Sequence, residues 1–240
     1  MNPNSPVTLA TLRAHKREGR AFPCLTAYDA TFARVLDGAG MDVVLVGDSL
    51  GMVVQGEAST LPVTMDHMVY HTRAVSRGVE RALVMADLPF MSCATPEWAL
   101  TNAARLMAEG GARVVKLEGG AVQLEAVAAL ADRDIPVCAH LGLQPQAVHK
   151  LGGYRVQGRE PGAAEDMAAA ARDLEAAGAD LLLLECVPRD LAAAITAAAG
   201  VPVIGIGAGP ECDGQVLVLH DLLGLGGPAP RFAPSFMAPG

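Results

Sequence analysis

The stretch Ala163–Gly209, AAEDMAAAARDLEAAGADLLLLECVPRDLAAAITAAAGVPVIGIGAG, decides the reading of the fold. Ala163–Ala177 has helical composition and stops at Gly178, and Asp180–Glu185 is an aliphatic run that ends in a carboxylate. Arg189–Ala199 is helical again and stops at Gly200, before a second aliphatic run, Pro202–Ile206. A helix, a terminating glycine, a short entry and a strand, repeated, make a βαβ pattern. Apolar runs that are continuous rather than alternating mark parallel strands covered on both faces.

The same order recurs along the rest of the chain. Aliphatic runs at Phe22–Tyr28, Asp42–Gly47, Arg81–Asp87, Ala112–Glu118, Ile135–His140 and Val216–His220 bring the total to eight. Helical segments lie between most of them: Ala30–Ala39, Thr64–Arg77, Pro96–Glu109 (with Thr95 placed to cap it) and Val122–Ala131. Eight such units predict an α/β fold, a (βα)₈ TIM barrel, as a single domain over 1–240. A doubly wound open sheet is disfavoured, because no G-x-G-x-x-G follows the first run. The amphipathic segment Thr8–Lys16 is expected to plug the bottom of the barrel. The Gly/Pro-rich stretch from Leu225 predicts a last helix that is short or missing.

Composition narrows the function. The 240 residues carry 18 Lys+Arg against 26 Asp+Glu, a net charge of −8, which disfavours a nucleic-acid-binding face. At 51% hydrophobic and 18% charged, the chain is no disordered segment. No apolar run approaches the ~20 residues of a membrane span, and no signal-peptide pattern opens the chain. Five widely spaced cysteines without C-x-x-C read as reduced, buried thiols of a cytoplasmic protein.

Chemistry in such a barrel sits at the C-terminal ends of the strands. Five successive runs end there in polar groups: Asp48 and Ser49, Asp87, Lys116 and Glu118, His140, and Glu185. Lys116 and Glu118 are two apart on one strand and therefore share a face. Asp48, Asp87 and Glu118, from consecutive strands, would repel one another unless a cation sat between them. An all-oxygen set suits Mg²⁺. The absence of H-x-x-x-H or a Cys/His cluster argues against zinc. Glu185, above Leu181 and Leu183, is a candidate general base with a raised pKa. His140 is a possible auxiliary group, either a base or a group that orients a carboxylate. Two long Gly-rich loops, Ser49–Val63 and Leu141–Gly162, are placed to close over a substrate. The run Gly205-Ile-Gly-Ala-Gly reads equally as an anion cradle or a tight turn.

Several long stretches then carry a resemblance: LTAYDATFA from Leu25, VGDSLGMVVQG from Val46, TLPVTMDHMVYHTRAVSRG from Thr60, ADLPFMS from Ala86, VKLEGG from Val115, AHLGLQPQAVHKLGGYRVQGR from Ala139, LLLLECVP from Leu181 and GIGAGPECDGQVLVLHD from Gly205. The chain resembles the ketopantoate hydroxymethyltransferase family along nearly its whole length. The resemblance implies a barrel of the phosphoenolpyruvate/pyruvate superfamily. It implies transfer of a hydroxymethyl group from 5,10-methylenetetrahydrofolate, the co-substrate, to 3-methyl-2-oxobutanoate through a Mg²⁺-stabilised enolate, giving 2-dehydropantoate for pantothenate synthesis. It places Asp48 and Asp87 as Mg²⁺ ligands, with Glu118 as a metal-site carboxylate. Asp48, Ser49, Asp87 and Lys116 become substrate contacts, Glu185 the proton acceptor and His140 an auxiliary residue. The partners it implies are small molecules and further copies of the chain in a homo-oligomer, a decamer in the family, with no nucleic acid and no membrane. The family usually continues with a helix beyond FAPSFM, and it often has Lys where this chain has Arg155. Two other readings compete. One is an enolate enzyme of the lyase or phosphonomutase kind, which would need a reactive Cys after the fourth strand, where this chain has Glu118-Gly-Gly-Ala-Val-Gln. The other is a non-enzymatic barrel kept for assembly, which would be free to lose its rim carboxylates.

Overall fold

In the computed structural model, which describes residues 5–225, 230–234 and 236, eight parallel strands close into a barrel in sequence order. The strands are β1 (Phe22–Thr26), β2 (Val43–Val46), β3 (Leu83–Asp87), β4 (Val114–Glu118), β5 (Val137–Gly142), β6 (Leu181–Glu185), β7 (Val203–Ile206) and β8 (Gly214–Leu217). The helices are α1 (Leu9–Glu18), α2 (Ala30–Gly38), α3 (Leu50–Val53), α4 (Met65–Ser76), α5 (Pro96–Ala108), α6 (Leu124–Ala131), α7 (Val148–Leu151), α8 (Pro161–Ala176), α9 (Arg189–Ala198) and α10 (Leu219–Leu222). Local chemistry sets several of the starts. Asp29 accepts the amides of Thr31 and Phe32 at α2, Thr64 forms a capping box with His67 at α4, and Thr95 caps α5 ahead of Pro96.

Strand periodicity divides the core into two compartments. One set of side chains packs outward under the helices, including Val44, Val46, Val84, Val115, Leu117, Leu182 and Leu184. The alternate set fills the lower interior: Phe22, Cys24, Val43, Leu45, Leu83, Met85, Val114, Cys138, Leu181, Leu183 and Ile204. Val7 and the fully buried Leu12 join that inner cluster, so α1 closes the N-terminal end as expected. Arg13 pairs with Asp180 at 2.6 Å and Lys16 with Asp213 at 2.8 Å, which straps α1 to the barrel floor.

Two features differ from the sequence reading, the place of the eighth strand and short helices within the long loops. The eighth strand lies at Gly214–Leu217, earlier than the apolar run suggests, and a one-turn helix begins at Leu219. The Leu219 amide donates to Thr26 Oγ1 at 3.0 Å, which turns the chain out of the sheet. Gly214 sits opposite Phe22 in the closing register, where any Cβ would lie 2.3 Å from the Phe22 ring. The connection 207–213 contains no helix and is braced by the Arg189–Glu211 pair. Short helices α3 and α7 sit inside the two long loops. The last helix is short, and the expectation for the chain beyond it falls partly on residues outside those described. No helix among the described residues is long and apolar enough to cross a membrane.

Candidate active site

The inward side-chain positions that hold Leu83, Met85, Val114, Cys138 and Leu181 at the floor hold Asp87, Lys116, Glu118, His140 and Glu185 two or four residues further along their strands. The switch from apolar to ionisable residues therefore occurs inside the barrel rather than on its exposed rim. Asp48 follows β2, and both Asp48 and Asp87 are 3% exposed. Asp48, Ser49, Asp87, Lys116, Glu118 and Glu185 all line one cavity of about 370 Å³ at the C-terminal end. His140 lies beneath that cavity, 3.6 Å from Glu118 Oε1 and 3.5 Å from Glu185 Oε2, and is fully enclosed.

The contacts are specific. Lys116 Nζ stands 2.7 Å from Asp87 Oδ1 and 3.8 Å from Glu118 Oε1. Its approach to Asp87 is off the direction of a hydrogen bond, so that buried oxygen lacks a hydrogen-bond donor. The Asp48 amide donates to Asp87 Oδ2 at 3.1 Å. Ser49 Oγ is held 2.8 Å from the hydroxyl of the buried Tyr28.

Gln146, which the sequence reading did not single out, links three parts of the site. Its Nε2 donates to Asp48 Oδ2 at 2.8 Å and to the Leu88 carbonyl at 3.0 Å, and its amide donates to Glu118 Oε2 at 3.1 Å. The Pro145-Gln146 step inside the long loop was its only sequence signal. Tyr154, Phe232 and Asp221 also line the cavity and were likewise not anticipated.

Burial sets the proton affinities. It pushes Glu185 up to about 8, with Lys116 pulling back and Asp48 and Asp87 adding to the rise. Burial likewise raises Glu118 to about 7, against the pull of Lys116. Asp48 rises well above the carboxylate range through burial and the nearby Asp87 and Glu118. Burial works against the Lys116 ammonium, but Asp87, Glu118 and Asp48 outweigh it and hold it charged. Burial, then Lys116, drives His140 far below its ordinary value, so its ring is neutral. A neutral imidazole has one N–H and can serve Glu118 or Glu185, not both at once.

Three buried carboxylates, Asp48, Asp87 and Glu118, and the partly buried Glu185 share the inner part of this cavity with one ammonium, Lys116. That excess of negative charge fits a hard dication beside Asp48 and Asp87. Among the described residues no three His, Cys, Asp or Glu groups form a ready ligand cage. A cation here would take few protein ligands and complete its shell with water or substrate oxygens, as Mg²⁺ commonly does. Glu118 has one oxygen on the Gln146 amide and the other facing Lys116 and His140, which suits a supporting position.

The flexible-looking elements of the sequence also find places. Both long loops border the cavity, through Met52, Val53 and Thr60 on one side and Leu143, Pro145 and Tyr154 on the other. In the run after β7, Gly207 has φ 60°, and a Cβ there would lie 2.7 Å from the Phe232 ring, so this glycine seats an aromatic side chain. All five cysteines are free, and the segment after β4 is the turn Gly120–Gln123, without a thiol.

The family model described as ketopantoate hydroxymethyltransferase matches residues 6–240. A 3-methyl-2-oxobutanoate hydroxymethyltransferase of Alkalilimnicola ehrlichii is 64% identical over 97% of this chain and 84% of its own length. One from Halorhodospira halophila is 63% identical over 98% of this chain and 85% of its own. Among solved structures, a putative phosphonomutase from Burkholderia cenocepacia superposes with a TM-score of 0.72 at 20% identity, over 90% of this chain and 94% of that one. A phosphonopyruvate hydrolase solved with oxalate and Mg²⁺ gives 0.67 at 17% identity, over 90% and 83%. At those identities the structural likeness speaks for the fold alone.

Proposed function

The chain belongs to the ketopantoate hydroxymethyltransferase family, its reaction is hydroxymethyl transfer to 3-methyl-2-oxobutanoate, and from that premise we propose how its residues carry the reaction out. The donor is 5,10-methylenetetrahydrofolate and the product 2-dehydropantoate, made in the cytoplasm by a homo-oligomer whose copies each act as one barrel domain. The observation that carries the residue assignment is the shared cavity, which a partly buried base lines together with an acidic pair and a single ammonium.

Asp48 and Asp87 would hold Mg²⁺, with Glu118 and Gln146 fixing the surroundings. When bound, the dication supplies Lewis-acid polarisation of the oxo acid's keto group. Lys116 places a permanent positive charge where negative charge develops on the substrate oxygens. Ser49, steadied by Tyr28, offers a hydroxyl to the same oxygens. Glu185 takes the proton from C3, and the C–H electron pair becomes the C2–C3 double bond of the enolate. C3 then forms its bond to the donated one-carbon unit. The two C–N bonds of the donor's methylene bridge break, water supplies the hydroxyl oxygen, and the proton taken from C3 and one from water end on the two nitrogens of the departing tetrahydrofolate. The carbon stays at the formaldehyde level, so no oxidant is needed. Neutral His140, 3.5 Å from Glu185 and with neither ring nitrogen hydrogen-bonded here, is placed to orient the base without adding charge.

Proton exchange at C3 of 3-methyl-2-oxobutanoate in D₂O, with Mg²⁺ and without folate, tests the assignment. Glu185→Gln should slow exchange by roughly 10²–10⁴. Exchange at the wild-type rate in that variant would reject Glu185 as the base.

A further inference from the structure

The cavity has two unlike ends. Its inner end carries the ionisable cluster, whereas the more exposed side chains along its lining are Met52, Val53, Pro230, Tyr154 and Phe232. A five-carbon oxo acid bound by the inner cluster would not reach those exposed side chains. Aromatic residues are only 4% of the chain, yet two of them stand at this one opening. Both keep large exposed areas: Tyr154 is 54% and Phe232 36% exposed. Each is held by a contact of its own. The Tyr154 hydroxyl reaches Met52 Sδ at 3.5 Å, which ties one long loop to the other. The Phe232 ring rests on the bare backbone of Gly207. Rings so placed present flat apolar surface to a ligand at little cost in side-chain entropy.

Charge adds a second, independent observation. Lys150, Arg155 and Arg159 are exposed in the loop that carries Tyr154, and no carboxylate occurs from Val148 through Arg159. In a chain of net charge −8, this is a local reversal of sign beside the mouth.

We propose that the cavity mouth is the subsite for the one-carbon donor, with Tyr154 and Phe232 packing against its planar heteroaromatic ring and the Lys150–Arg159 loop drawing in its carboxylate tail. The inference rests on the folate reading given above. An apolar mouth and a basic loop together select a ligand that is flat at one end and anionic at the other. They also separate recognition of the donor from recognition of the oxo acid, which meets Asp48, Asp87 and Lys116. Tyr154 and Phe232 are therefore positioning residues for the donor.

Steady-state kinetics on the full-length, Mg²⁺-loaded protein resolve the point, with circular dichroism confirming that each variant is folded. Tyr154→Ala and Phe232→Ala should raise KM for 5,10-methylenetetrahydrofolate about tenfold and move KM for the oxo acid far less. Tyr154→Phe should recover most of the loss, since the ring face matters more than the hydroxyl. Joint Lys150→Gln and Arg155→Gln replacement should raise the donor KM and flatten its dependence on salt. Folded alanine variants with an unchanged donor KM, or with both KM values rising together, would overturn the subsite while leaving the folate reading intact. A wild-type protein that exchanges the C3 proton but makes no product with the folate would remove the folate reading, and this subsite with it.

Discussion

Gln146 shows how much a single neutral side chain can organise. Its amide nitrogen binds Asp48 and the Leu88 carbonyl, and its backbone holds Glu118, so the β5–α8 loop is fastened to the ends of β2, β3 and β4. Gln146→Leu keeps the backbone contact and removes the two side-chain bonds. It should cost about 1–3 kcal/mol in a urea melt, because a buried acceptor is left without its donor. It should also lower kcat/KM for the oxo acid about tenfold, since Asp48 loses its orientation. A variant that kept wild-type kcat/KM would show that Asp48 is positioned without Gln146. The acidic residues around it were legible in the sequence because each ends an aliphatic run. Gln146 was not, because a loop residue acquires its partners only when distant strand ends meet.

At the scale of elements, carboxylates tie helices to strand entrances. Asp37, near the end of α2, accepts the amides of Glu80 and Arg81 at 3.0 and 3.1 Å and that of Ala82 at 2.7 Å, just before β3 begins. Three consecutive amides converge on one side chain at the end of the barrel opposite the cavity. Asp37→Ala should cost about 2 kcal/mol of stability, because those donors lose their acceptor. Turnover per folded molecule should stay at the wild-type level at a temperature where both proteins are folded. A urea midpoint shifted by less than the experimental error would show that water replaces the carboxylate fully. Most helix limits were readable from capping residues and terminal glycines. The short helices α3 and α7 were not, since one-turn elements carry no periodic signal. The end of β8 was misplaced because Val216–Leu219 is apolar throughout, whereas the bond from the Leu219 amide to Thr26 takes the chain out of the sheet.

Across the whole molecule, an acidic cavity in a closed apolar barrel makes stability depend on pH in an unusual direction. Glu185 and Glu118 bind protons more tightly folded, at about 8 and about 7, than at their ordinary value of 4.5. The folded state thus holds more protons than the unfolded one between those limits, and stability declines as pH rises through them. The neutral His140 acts in the opposite sense up to its ordinary value of 6.5, so the metal-free protein should melt at progressively lower temperature from pH 6.5 to about 8. Added Mg²⁺ should raise the melting temperature more at the alkaline end, because its ligands must be deprotonated. A melting temperature that climbs over that range without metal would contradict the raised proton affinities of Glu185 and Glu118. The sequence by itself determined the barrel, the closing role of α1 and the acidic strand ends, because strand and helix periodicities are local and the ionisable residues break apolar runs. Tertiary structure decided how deep the acids sit, which proton affinities follow, that Gln146 joins them, and that Tyr154 and Phe232 meet at one opening. Those properties depend on distances between residues far apart in the chain, and only closure of β8 onto β1 sets them.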